Sequence, residues 1–379
     1  MQKYTQTKSA LSSTRGAFFF FLWLTLILLA SSSIWLIDHS PVRAEGQDTL
    51  PVLPLYLPWI FGAEPSDLDQ STTFAVSGLA YPNGLAVHRD KQLFFLTSRD
   101  TDTLFKLNST GQVLASVTTG PQPWGVAVDD NSNRVYVSNF GGGVTVYDAD
   151  TLALLADIPV GSQPGQIAVN EYTDTAAVVL HGENKIAFID GLAFAEKVDA
   201  NGAGAFAIAA DVTTNHFVVT HRDSATARIF YKADTGWKND GALFTFADRV
   251  VPFAVTIDHR TARVYILTWR PDDLWRVEVF EKLSQSEVRA GALIPVGDSG
   301  NKNSPNVGGV GLAVNVNDRH IFVANTADGT VTIINGATDA VLETVTVGND
   351  PTALAMNWDN GVVFVGLRAS DQMYRFRDQ

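Results

Sequence analysis

PWGVAVDDNSNRVYVSNFGGGVTVYDADTLALLADIPVG, residues Pro123–Gly161, reads as four short strands and the turns between them. PWGVAV is one strand, DDNSN a turn, and RVYVSN a second strand rich in β-formers. FGGG leads into VTVYDA, and TLALLADIPVG supplies the fourth strand. Strands joined in this way make an antiparallel meander. The opening phrase recurs as PNGLAV from Pro82, PGQIAV from Pro164 and a degraded AFAIAA from Ala205, with 41 residues between successive starts. PFAVTI from Pro252, GVGLAV from Gly309 and PTALAM from Pro351 follow at wider spacing. A period near 40 with several strands per unit is the mark of sheets repeated around an axis. Alternating helix signals are missing, which excludes a parallel α/β sheet. The expected fold is all-β: a seven-bladed β-propeller of four-stranded antiparallel blades over residues 71–379.

The phrase itself carries the physical argument. Its third position is Gly84, Gly125, Gln166, Ala207, Ala254, Gly311 and Ala353, and its fifth is alanine or threonine throughout. Between them stands a large residue, from Leu85 to Leu354, expected to face the other way. Small side chains suit the innermost strand, where all blades crowd toward the axis. Apolar residues on both faces suit a sheet packed between two neighbours. The last unit has only three strands, whereas TTFAVSG (Thr72–Gly78) precedes the first unit and resembles the fourth-strand copy ETVTVGN. The N-terminal strand is therefore expected to complete the last blade and close the ring, which removes exposed sheet edges.

PWGVAVDDNSNRVYVSN, with GGVTVYDADT after it, resembles the YVTN-type β-propeller repeat, as does GLAVNVNDRHIFVANTADGTVTIINGATDAVLETVTVGNDP. The Tyr-Val-x-Asn core of that family is matched by Tyr136-Val-Ser-Asn139 and less closely by Phe322-Val-Ala-Asn325. Units three to five depart from it, with His181, His221 and Trp269 near the asparagine position. The resemblance covers residues 72–379 and implies an extracytoplasmic propeller; members do many jobs, so it implies little about activity.

The N-terminus points the same way. Lys3, Lys8 and Arg15 precede an uncharged apolar stretch, residues 16–37, and Val42-Arg-Ala44 offers small residues for cleavage after Ala44. Residues 1–44 are read as a signal peptide or an N-terminal membrane anchor. Residues 45–70 are read as a spacer, because Pro51, Pro54 and Pro58 exclude a regular helix. The expected setting is secreted, periplasmic or cell-surface. A net charge of −13 without a basic stripe argues against nucleic acid as partner. The absence of cysteine excludes disulfides, thiolate metal sites and covalent haem attachment.

In a meander, the loops after the fourth strand and between the second and third lie on one face. That face is expected to carry Arg99, Trp124, Asn139, His181, His221, Arg222, Trp269, Arg270, Asn325 and Arg368. Histidine, tryptophan and arginine around a funnel mouth suit ligand binding. The leading expectation is a monomeric binding or scaffold module for a protein, glycan or small molecule. The alternatives are a propeller enzyme with its site at the same mouth, and a surface-layer or envelope structural protein. No catalytic group is assigned, and neither metal nor cofactor is expected, because His181 and His221 lack the close spacing of a zinc site. Asp129, Asn131 and Asn133 alternate like a calcium loop, but Arg134 and Phe140 stand where glycine and glutamate belong, so a strand-linking turn is expected.

Overall fold

Each copy of the phrase folds as the first strand of its own antiparallel sheet. The computed structural model describes residues 71–272, 274–299 and 311–378. The expectations for residues 1–44 and for the spacer at 45–70 fall outside them. Blade 1 contains Pro82–His88, Leu93–Ser98, Thr103–Asn108 and Val113–Thr118, in that spatial order. The first strands of the following blades are Pro123–Asp129, Pro164–Asn170, Ala205–Asp211, Val251–Asp258, Leu312–Asn315 and Pro351–Asn357. Each packs on the first strand of the next blade, and the last returns to the first, so seven sheets close a ring. In blade 4 the outer position is split, since Gly236–Lys238 and Leu243–Thr245 both pair with Thr226–Ala233.

Closure follows the expected route. Thr72–Ala75 pairs antiparallel with the C-terminal strand, Thr72 opposite Arg375 and Ala75 opposite Gln372. Residues from the two ends of the chain thus share one blade, and opening the ring would expose two sheet edges.

Hydrophobic clusters fill the spaces between successive blades. Phe95 and Leu104 of blade 1 meet Val135, Val137 and Tyr147 of blade 2, and Phe94 of blade 1 stacks on Phe364 of blade 7 with centroids 4.1 Å apart. Side chains such as Phe94 and Phe95 are fully buried, each worth about 1.5–3 kcal/mol.

The glycines of the phrase record a close approach of backbones. A Cβ at Gly84 would lie 2.6 Å from the carbonyl oxygen of Trp124, and one at Gly311 would lie 2.6 Å from Leu354 Cβ. The large residues at the fourth position do more than face away from these contacts. Leu85, Val126, Ile167, Ile208, Val255, Leu312 and Leu354 together line the central channel, a cavity of about 190 Å³.

One recurrent feature has no counterpart in the spacing of the phrase. In blade 1, Pro82 pairs with Ser98 but Leu85 with Leu96, so two residues oppose one, and the same bulge occurs near the start of the first strand in blades 2, 3 and 4. Thr97 Oγ1 accepts the Gly84 N–H at 2.7 Å and lies 3.3 Å from the Trp124 carbonyl of the next blade. Ser138 and Thr220 accept the equivalent N–H groups of Gly125 and Ala207. Buried hydroxyls therefore satisfy the backbone that the bulge removes from the ladder.

The far ends of the first strands are closed by side-chain turns. Asp129 accepts the N–H of Ser132, Asn170 that of Tyr172, Asp211 that of Thr213, Asp258 that of Arg260 and Asn357 that of Asp359. Asp129 thus caps a strand-linking turn.

Candidate functional site

Chain direction assigns the two ends of the channel. First strands begin, second strands end and third strands start at one end, here called the mouth. The second position of the phrase lies there, beside the bulge, and is occupied by Asn83, Trp124, Gly165, Phe206, Phe253 and Thr352. A bulge re-aims the residues it contains, and Asn83, Phe206, Phe253 and Thr352 all line the channel.

Across blades 2 to 5 this column forms a continuous run of rings. Trp124 and His181 have centroids 6.2 Å apart, His181 and Phe206 5.6 Å, Phe206 and Phe253 5.9 Å, and Phe253 and Trp275 4.9 Å. Blade 3 contributes no side chain from Gly165. The ring of His181 fills that space instead, and a Cβ on Gly165 would lie only 2.1 Å from His181 Nε2. Phe140 stacks on Trp124 at 5.0 Å and stands 6.1 Å from His181. Trp124, Phe140, His181 and Phe206 bound a cavity of about 360 Å³, completed by Asn184, Arg222 and Asp223.

Two guanidinium groups lie over these rings. Arg222 is 4.6 Å from the centroids of both Phe206 and Phe253, and Arg99 is 5.1 Å from Tyr81 and 5.2 Å from Trp124. Such contacts hold cations in place through the negative ring face. Arg368 also approaches Tyr81, at 5.3 Å, but is paired with Asp350 through bonds of 2.7 and 2.8 Å. Burial is the main influence on His181 and pushes its pKa down to about 4; the Arg222 charge acts in the same direction. The ring is therefore neutral at pH 7, and its buried Nε2 has no hydrogen-bond partner among the described residues.

The expected site residues separate into groups. Trp124, His181 and Arg222 converge on the aromatic cavity, and Arg99 approaches the Trp124 ring without lining that cavity. Trp269 lines an adjoining cavity of about 890 Å³ that shares Arg222 and Asp223 with the first. Arg270 is tied to Glu278 at 2.6 Å. Asn139, Asn325 and His221 are buried inside their blades. Asn139 donates to Thr145, Asn325 to Thr332, and His221 Nε2 lies 2.8 Å from the Ala200 carbonyl. These three brace the turn between second and third strands and present nothing to the mouth. Burial also lowers the His221 pKa to about 4. Phe140 belongs to the loop that follows Asn139 on the expected face, whereas Phe206, Phe253 and Tyr81 were not among the expected residues. Two of them stand at the second position of the phrase, the same column as Trp124, and that shared position was the available signal.

The opposite end is bridged. Arg89 of blade 1 pairs with Asp130 of blade 2 at 2.5 Å and with Glu171 of blade 3, and its guanidinium lies 4.5 Å over the Trp358 ring of blade 7. His259 of blade 5 meets the same ring at 5.7 Å. Five charged or aromatic groups, from blades 1, 2, 3, 5 and 7, thus meet across this end. Among the described residues, no group of three or more His, Cys, Asp or Glu is placed to hold a metal ion.

No protein-family model and no curated protein matches the chain. Among solved structures, it is similar to hydrazine synthase of Kuenenia stuttgartiensis, at 16% identity and a TM-score of 0.63, covering 82% of this chain and 98% of that one. It is also similar to the β-propeller domain of Cps50 (Swd1) from Myceliophteria thermophila, at 8% identity and a TM-score of 0.64, covering 82% of this chain and all of that domain. At such identities the likeness is one of architecture, and the chain is a seven-bladed β-propeller.

Proposed function

We propose that the protein is an extracytoplasmic binding module whose ligand enters the mouth and lies against the rings of blades 2 to 4. The observation that carries this reading is the run Trp124–His181–Phe206, three rings from three successive blades that with Phe140 bound a cavity at the mouth. Burying aromatic surface at an open end stabilises the fold less than burying it between blades, so its placement there suits recognition. Binding is favoured over catalysis because His221 faces inward to Ala200 and His181 Nε2 meets no carboxylate among the described residues. The extracytoplasmic setting rests on Lys3, Lys8 and Arg15 before the apolar stretch 16–37, together with the YVTN-like repeat units.

A thermal-shift screen of the full chain against sugars, aromatic compounds and metal ions tests the binding reading, since a ligand specific for the native state raises its melting temperature. A shift that disappears in Phe140→Ala supports a mouth site. A hit unaffected by that change, or turnover of a hit compound, overturns it. N-terminal sequencing of protein from the cell envelope tests export: a chain starting at Glu45 fits cleavage, and an intact cytoplasmic chain contradicts it.

A further inference from the structure

We propose that the central channel binds one weakly hydrated monovalent cation, of the potassium class, beside Asn83 of blade 1 and Thr352 of blade 7. Both residues stand at the second position of the phrase, are 2% exposed and line the channel cavity of about 190 Å³. The surroundings of the Asn83 amide fix its orientation. Its Nδ2 donates to the Trp124 carbonyl at 2.9 Å, and a carbonyl can only accept, so the nitrogen must face that way. Oδ1 is then left as a buried acceptor without a hydrogen-bond partner among the described residues. Thr352 has the same polarity. Its hydroxyl donates to the Pro82 carbonyl at 3.3 Å, which leaves its oxygen with lone pairs alone to offer. That bond also brings Thr352 against the residue preceding Asn83 on the adjoining blade.

The channel wall narrows the class of guest. Gln166 is the remaining polar side chain of the lining, and no charged residue is part of it. Each first strand is the end strand of its sheet, with no strand paired to its axial edge, so backbone carbonyls face the axis as well. Acceptor oxygens beside Asn83 and Thr352 exclude an anion there. A divalent ion calls for carboxylate ligands, and the lining has none. Neutral oxygens, backbone carbonyls among them, are the groups that replace the hydration shell of potassium. The cavity falls below the range of about 300–1,000 Å³ typical of organic ligands, yet it has room for an ion with part of its water. A net charge of −13 favours a cation over the whole molecule. Phe206 and Phe253, across the channel, already carry Arg222 at 4.6 Å, so the ion belongs to the oxygen side and not to these rings. Water donating to Asn83 Oδ1 is the competing occupant.

The test uses the full chain and exchanges the cation at constant chloride. The melting temperature should be higher by about 2–4 °C in about 200 mM potassium chloride than in N-methylglucamine chloride of equal strength, because an ion bound only by the native state raises it. That difference should vanish in Asn83→Leu and shrink in Thr352→Val, which keeps the side chain's size. Circular dichroism identifies a variant that fails to fold; Thr352→Val keeps the test open if Asn83→Leu does. Crystals of the full chain grown with rubidium chloride supply a second measurement, since anomalous scattering separates the ion from water. A rubidium peak in contact with Asn83 Oδ1 is the expected result. Equal melting temperatures in the two salts, or a potassium effect of unchanged size in both variants, overturns the proposal. Density at Asn83 Oδ1 without anomalous signal assigns the site to water and overturns it too, as does rubidium confined to the outer surface.

Discussion

Replacing Gly165 by alanine isolates the packing decision that lets His181 join the rings. The added Cβ would stand 2.1 Å from Nε2 and 2.3 Å from Cδ2 of His181, so the ring must retreat by more than about 1 Å to reach an ordinary contact. Gly165 is not among the glycines with positive φ, so alanine fits its backbone without strain. By itself that backbone change would stabilise the chain by about 0.4–1 kcal/mol, through fewer unfolded conformations. Overpacking costs about 1–3 kcal/mol, and the displaced ring also leaves its contacts with Trp124, Phe140 and Phe206. Net destabilisation of about 1–2 kcal/mol is expected in the wild-type background. With His181→Ala already present, the new methyl enters vacated space, and Gly165→Ala becomes neutral or stabilising. Urea unfolding of the four proteins in this double-mutant cycle measures the coupling. The same penalty for Gly165→Ala with and without His181 would refute the account of how blade 3 supplies its ring.

Deleting residues 66–80 removes the strand paired with Gln372–Arg375, and loss of a single cooperative unfolding transition is expected on calorimetry; a melt like that of the intact chain contradicts closure by the N-terminal strand. Thr97→Val leaves the Gly84 N–H without its acceptor inside the bulge, with an expected loss of about 1–3 kcal/mol in urea unfolding, and an unchanged midpoint would show that the hydroxyl is dispensable. Burial raises the pKa of Asp129 from 3.8 to about 6, so its carboxyl keeps its proton more readily folded than unfolded. Its contribution to stability therefore falls as pH rises from about 4 to 6 and stays lower above that. Asp129→Asn keeps an oxygen for the Ser132 N–H and should gain stability over wild type across that window, up to about 3 kcal/mol at neutral pH; a difference independent of pH would contradict this.

The scaffold was legible in the sequence because crowding at the axis acts on every copy of one phrase. Gly84 and Gly311 each meet a neighbouring backbone or side chain at a distance that a Cβ cannot tolerate, and Gly125 leaves one only tight contacts, so repetition and physical cause coincide. The site was less legible for two reasons. Phe206 and Phe253, inside AFAIAA and PFAVTI, look like ordinary core residues, and the bulge that turns this column to the mouth leaves no insertion to count. Register misled in the second strands. Leu180, not His181, pairs with Pro164, so His181 lies one residue beyond the asparagine position and reaches the mouth. His221 occupies that position itself, opposite Ala205, and is buried like Asn139. The cross-axis group at the other end joins Arg89, Glu171 and Trp358, residues of different blades that meet only when the ring closes.

The central claim is that Trp124, Phe140, His181 and Phe206 form a binding surface at the mouth of the channel. A crystal structure of the full chain with the compound that most raises its melting temperature tests it directly. The account predicts that compound against Phe140, His181 and Phe206. Density for it at the Arg89 end or on the outer rim, with the mouth empty, would contradict the account.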